Sequence, residues 1–229
     1  MPAAFFPVKV ISSVYQSLVW ADKAAYHTGM TAQPGSQRLI ELQELLLRFQ
    51  AVERHTRNPA DTSKRENDVE HSYHLAMAAW LLAPHFSLDA GKAIRIALAH
   101  DLVEIYAGDT FAYGERSELD AKDAREQAAL ETLRQEWPDF TDMIACIEDY
   151  KHKASDEAKF VYALDKVMPI IMNMLGKGAA WRDYGVTMEQ FITEKERKIP
   201  QDSPLYPYYG ELLAMLQQTP HYFHQEPTS

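Results

Sequence analysis

Apolar residues recur at helical spacing along most of this chain. From Gln37 onward, Leu39, Leu42, Leu45, Leu46 and Phe49 fall at steps of three and four, as one buried helix face requires. Thr56 to Lys64 breaks that rhythm, carries Asn58-Pro59 and reads as a loop. A second helix is predicted from about Val69 to Pro84, with Leu75, Ala78, Ala79 and Leu82 on its apolar side. A third is predicted from an N-cap at Asp89 through Tyr106, ended by Gly108. Residues 118–136 predict a charged, Ala-rich helix that opens with Glu118, Asp120 and Asp123, whose charge suits a helix N-terminus. Further helices are predicted at about 140–152, 155–176, 187–197 and 204–217. Strand patterns are nearly absent. The expected architecture is all-α, a helical bundle over residues 37–217. An extension, residues 1–36, precedes it and ends in the breaker-rich run Thr31-Ala-Gln-Pro-Gly-Ser36. A tail, residues 218–229, follows it.

Composition narrows the function classes. The chain has 229 residues, 46% of them hydrophobic, enough for one substantial core. Its formal net charge is -10. Such a surface repels nucleic-acid backbones, so no polymer partner is expected. A small anion remains compatible if a pocket concentrates Arg, Lys or a metal. The single cysteine, Cys146, allows no internal disulfide and suits a reducing compartment. The fairly apolar stretch from Ala3 to Trp20 is interrupted by Pro7 and Lys9 and reads as neither a signal peptide nor a membrane span. The expectation is a cytoplasmic protein with no membrane partner.

Four positions carry candidate chemistry: His71, the adjacent pair His100-Asp101, and Asp165. They fall on three predicted helices, so they meet only in a bundle core. Imidazole plus carboxylate suits one divalent ion among Mn, Fe, Co, Ni, Zn and Mg. Ile94, Ile96, Ala97, Leu98, Ala99 and Leu102 surround the pair. A charged Asp in such a stretch is costly unless paired or bound to a cation. On periodicity alone, the commoner explanation is a hydrogen-bonded buried His beside a surface Asp. Glu104 follows Asp101 by three residues and shares its helix face. Asp109 follows Gly108, where the chain can turn a carboxylate back. His74 is read as packing rather than as a fifth ligand. His85, His152 and the His221–His224 tail are read as exposed or peripheral. Cys146 is read as a small buried hydrophobe.

The order His, His-Asp, Asp resembles the HD-domain metal-dependent phosphohydrolases. The likeness extends to Arg65-Glu66-Asn67-Asp68-Val69-Glu70-His71-Ser72, to Ala99-His100-Asp101 running through Glu104 to Gly108-Asp109, and to Ala163-Leu164-Asp165-Lys166. These segments are similar to the 5′-deoxynucleotidase (YfbR-like) and oxetanocin-like branch, over about Phe49 to Trp181. The resemblance implies a helical HD fold, usually a homodimer, that removes phosphate from 5′-(deoxy)nucleoside monophosphates. It implies His71, His100, Asp101 and Asp165 as metal ligands, Glu104 and Asp109 as catalytic or substrate-site acids, and Arg54 as a phosphate contact. Lys166 is a further candidate for neutralising phosphate charge. One departure stands out: where the branch carries Arg-Trp, this chain has Arg54-His55. That tryptophan favours deoxyribose, so the choice between ribose and deoxyribose stays open. Two alternatives stay open as well: hydrolysis of another phosphate ester, such as a nucleoside triphosphate or cyclic nucleotide, and a regulatory nucleotide-binding module with little turnover.

Overall fold

A computed structural model describes residues 35–114 and 116–225. The chain divides into two compact units, residues 1–41 and 42–229. All but the last two residues of the expected extension lie outside the described residues. The described residues are mainly helical, with one two-stranded sheet.

Helix α1 (Ser36–Gln50) buries Leu45 and Phe49 and leaves Leu46 exposed. Strands β1 (Glu53–Asn58) and β2 (Asp61–Asn67) then form an antiparallel hairpin, pairing Glu53 with Asn67 and Arg57 with Arg65. This corrects the loop expected over Thr56 to Lys64. Neither strand contains an apolar residue, so the alternation that reveals a strand is missing. The turn signal itself was sound. Asn58 accepts a hydrogen bond from the Ala60 N–H, and Asp61 accepts one from the Ser63 N–H.

The hairpin feeds directly into α2 (Asp68–Leu82). Asn67 caps it with a reciprocal pair: its side chain accepts from the Glu70 N–H, and Glu70 accepts from the Asn67 N–H. A 3-10 turn with Pro84 (Ala83–Phe86) leads to α3 (Ala90–Ala99), capped by Asp89 on the Lys92 N–H. Helices α2 and α3 lie against each other. Ala76 and Ala79 on one, and Ala93 and Ala97 on the other, are buried. Small side chains let backbones approach closely.

The helix expected to run from Asp89 to Tyr106 is two. After Ala99 the bonds shorten to a 3-10 pattern, Leu102 N–H to Ala99 and Glu104 N–H to Asp101. A short α4 (Glu104–Ala107) follows. No Gly or Pro marks the break, so the apolar pattern runs through it. Next come α5 (Arg116–Glu136), α6 (Thr141–His152), α7 (Asp156–Leu175), α8 (Ala179–Asp183), α9 (Met188–Lys198) and α10 (Tyr206–Gln217). Apart from the short α8, these match the predicted helices to within two residues.

Helix α7 touches α2, α3, α6, α9, α10 and β1 and buries Phe160, Val161, Leu164, Val167 and Ile170. The tail is docked rather than peripheral: Phe223 is buried and stacks on Trp181, ring centroids 4.4 Å apart. Gly178 permits this approach, because a Cβ there would lie 2.0 Å from the Tyr222 carbonyl oxygen. No described helix is long and apolar enough to cross a membrane.

Candidate metal centre

His71 stands one turn inside α2, His100 at the C-terminal end of α3, Asp101 on the turn after it, and Asp165 midway along α7. The structure brings all four together. One ligand atom from each lies within 4.8 Å of every other. His71 Nε2 is 2.9 Å from Asp165 Oδ1. His100 Nε2 is 2.9 Å from Asp101 Oδ2 and 3.7 Å from Asp165 Oδ1.

Surrounding groups aim these atoms. His100 Nδ1 lies 2.8 Å from the Ala97 carbonyl oxygen, which only accepts, so Nδ1 carries the donated proton and Nε2 faces inward. Asp165 receives the Tyr150 hydroxyl (2.6 Å) and the Lys166 ammonium (2.5 Å) on Oδ2. That leaves Oδ1 toward the histidines. His100 Nε2 is buried and has no hydrogen-bond partner. An orphaned imidazole nitrogen between two carboxylates fits a cation better than it fits a packed core. Burial and the Arg54 charge lower the His71 pKa to about 4, so its ring is neutral, as a ligand must be. Burial also opposes charge on His100, but Asp101 and Asp165 outweigh it and raise the pKa to about 10. A cation binding there releases that proton.

A polar layer lies behind the four. Arg54, from β1, places Nη1 2.9 Å from Asp68 Oδ1 and 2.8 Å from Asp101 Oδ2. Asp68, Asp101 and Glu104 also bring one oxygen each within 4.8 Å of one another, but the guanidinium already bridges Asp68 and Asp101. Glu66 is 1% exposed, and neither of its oxygens has a hydrogen-bond partner. It lies 3.9 Å from His71 Nδ1 and 3.5 Å from His74 Nδ1. His74 is therefore turned to Glu66 and to the surface, not to the four.

Residues 47–205 match the model of a family described as HD domain. Over 135 residues the chain is 32% identical to a 5′-deoxynucleotidase HDDC2 from Xenopus laevis, covering 58% of this chain and 66% of that protein. The Bos taurus protein of the same name is 29% identical over 139 residues, covering 60% and 67%. The match thus spans about two thirds of these relatives' length. A solved structure described as a predicted metal-dependent phosphohydrolase, from Magnetospirillum magnetotacticum MS-1, superposes with a TM-score of 0.66 at 30% identity, covering 84% of this chain and 99% of that one. A conserved hypothetical protein from Pyrococcus furiosus, 22% identical with a TM-score of 0.55 over 78% of this chain and 99% of its own, shares the fold. The chain belongs to the HD-domain family.

Beside the four residues, the HD domain opens a pocket that Arg54, Glu104 and Asp109 all line. Glu104 is buried, and its Oε2 has no partner. Burial, with Asp101 beside it, pushes its pKa well above the usual carboxylate range. Gly108 makes the next turn at φ +75°, a conformation that disfavours side chains, and delivers Asp109 to the rim. His55 Nε2 lies 3.9 Å from Asp109 Oδ2. The His55 ring packs on Phe111 (4.6 Å between centroids) and Tyr184 (5.1 Å), forming an aromatic wall. Phe111 comes from a segment for which the sequence suggested no role.

Four lysines also line this pocket: Lys122, Lys166, Lys195 and Lys198. Only Lys166 was expected. Sequence reasoning also assigned no role to Glu66, Asp68 or Tyr150. The first two lie in the Arg65–Ser72 motif, where acids beside a capping box were a usable signal. Tyr150 gave none, since a tyrosine in a helix is ordinary core material. His85 and His152 are exposed, and Cys146 is a buried free thiol whose pKa burial raises.

Proposed function

We propose that this HD-domain chain is a metal-dependent phosphohydrolase acting on small nucleotides, with 5′-(deoxy)nucleoside monophosphates as its leading substrates. The observation that carries the reading is the convergence of His71, His100, Asp101 and Asp165, with Asp101 and Asp165 lining the same pocket as the buried Glu104. The names carried by the relatives, a 5′-deoxynucleotidase and a metal-dependent phosphohydrolase, support the same class.

The four residues would hold one divalent ion, which supplies a Lewis acid for a phosphate oxygen and acidifies a water. The chain's own groups do the rest. Arg54 and Lys166 offset charge on the phosphate. As water attacks phosphorus and the bond to the 5′-oxygen breaks, Glu104 gives its proton to that oxygen. Asp109 at the rim orients water or sugar. His55, Phe111 and Tyr184 offer ring faces to the nucleoside. The resemblance implies a deoxyribose-reading tryptophan at position 55, and His55 in its place removes that reason to reject ribose.

The test is phosphate release from a panel of nucleotides with Mn, Co, Fe, Ni, Zn and Mg in turn. Release from monophosphates with at least one metal is expected. Nucleotide binding with no release under any metal would overturn the enzyme reading in favour of a regulatory module. A homodimer is proposed as well. Helix α2 leaves Tyr73, Met77, Trp80 and Leu81 exposed along one side, an apolar face suited to a second copy. Sedimentation at the mass of a monomer would remove that proposal.

A further inference from the structure

The four pocket lysines do not have equal partners. Lys166 is paired with Asp165, and Lys122 lies 3.2 Å from Glu126 and 4.0 Å from Glu104. Lys195 and Lys198 differ. Among the described residues, neither has a carboxylate within 4.0 Å. Of the two acids beside Lys195 in sequence, Glu194 is taken by Arg197 at 2.7 Å, and Glu196 is exposed. Lys195 is nonetheless buried, and Lys198 is half-buried.

Helix-end electrostatics does not explain Lys195. The last turn of α9 carries Lys195, Arg197 and Lys198, and basic residues there complement the helix dipole. Arg197 does so from the surface. Lys195 instead crosses to α7, where its ammonium donates to the Lys166 carbonyl oxygen at 2.8 Å. That bond ties it to the residue next to Asp165 and faces it into the pocket. Two ammonium groups without counter-ions, inside the wall of a pocket, call for an anion. Burial opposes charge on both and lowers each pKa to about 8, a penalty that a bound anion removes.

The phosphate being hydrolysed does not fill this role. The reaction proposed above already assigns it to Arg54, Lys166 and the divalent ion that the four residues would hold. We propose that Lys195 and Lys198 form a second anion subsite, so that the preferred substrate is a nucleotide carrying a second phosphate. This rests on the phosphohydrolase reading above and, among its small nucleotides, puts those with two phosphates ahead of the monophosphates. The second phosphate comes either from a 5′-diphosphate or from a 3′,5′-bisphosphate, both of which present the same dianion chemistry to two lysines.

Titration calorimetry on the full chain decides it. The ligands are deoxyadenosine 5′-monophosphate, its 5′-diphosphate and its 3′,5′-bisphosphate, with phosphate release measured in parallel. At least one two-phosphate ligand is expected to bind ten-fold or more tightly than the monophosphate, and the tighter of the two identifies the source. In Lys195→Met/Lys198→Met that ratio should fall toward one, whereas Lys195→Arg/Lys198→Arg should retain most of it. Equal affinity for all three ligands in the natural chain overturns the subsite, as does a ratio that survives the methionine pair. Equal affinity with release from the monophosphate overturns the subsite alone. Tighter two-phosphate binding with no release from any ligand overturns the hydrolase reading and leaves the subsite standing.

Discussion

Asp101 has the most demanding position of any single residue here. One oxygen receives Arg54 at 2.8 Å and stands 2.9 Å from His100 Nε2. Replacing it with Ala removes a candidate ligand and leaves Arg54 with Asp68 at 2.9 Å and Glu66 at 3.9 Å. Asp101→Ala should lose bound metal and phosphate release together, and a variant that keeps both by metal analysis and assay refutes the ligand set. Glu104→Gln makes the complementary case: it should keep fold and metal but slow turnover roughly 10²–10⁴-fold, as loss of one proton donor does. Lys195 tests whether this pocket trades stability for binding. Its pKa falls from 10.5 to about 8 on folding, through burial first and the neighbouring Lys166 charge second, with Asp165 and Glu194 opposing. That difference corresponds to about 3 kcal/mol. Below pH 8 both states carry the proton, and the folded state bears the full penalty. Between about 8 and 10.5 the unfolded chain holds more protons, so stability rises with pH and the penalty is gone above that window. Lys195→Met should therefore raise stability at pH 7 by up to about 3 kcal/mol in urea unfolding, less the lost bond to Lys166, with the gain vanishing near pH 10.5. A destabilised variant at pH 7 would contradict this. The sequence made the first two residues conspicuous, because charges in an apolar run are anomalous. Lys195 was not conspicuous: a lysine near a helix end is ordinary, and only the crossing to α7 makes it unusual.

At the scale of elements, the junction between β2 and α2 sets the site. Within six residues it supplies Glu66, the cap Asn67, Asp68 and His71. Asn67→Ala removes one side of a reciprocal cap and should cost about 1 kcal/mol in thermal or urea unfolding. Because the cap fixes the turn that aims His71, metal affinity should fall too, though less than for His71→Ala. Unchanged affinity would show that α2 is aimed by its packing on α3 alone. Helices with one apolar stripe were readable from periodicity. The hairpin was not, because its strands are polar on both faces. The break after Ala99 was hidden because it is a change of hydrogen-bond span from four residues to three, with no breaker residue to mark it. It matters all the same: Asp101 stands on this turn, and its Oδ2 reaches within 2.9 Å of His100 Nε2.

For the whole molecule, the four candidate ligands tie α2, α3 and α7 across the core of the unit spanning residues 42–229. In the unfolded chain they are far apart, at 71, 100, 101 and 165, so no comparable site exists there. A cation that binds only the folded state stabilises it by mass action, by about 2.7 kcal/mol at one hundred times its dissociation constant. For a domain of this size each kcal/mol moves the melting temperature by roughly 2–4 °C. Removing metal with a chelator should therefore lower the melting temperature by about 5–10 °C. Adding back one equivalent of the effective ion should restore it. Asp101→Ala should melt at the same temperature with and without chelator, because it has no cation to lose. Scanning calorimetry separates this from general loosening of the core. A core variant such as Leu164→Ala lowers both curves but keeps the gap between them, whereas loss of a ligand closes the gap. If the natural chain shows no gap, the four residues are a buried ion-pair cluster and not a metal centre, and the hydrolase reading falls with them.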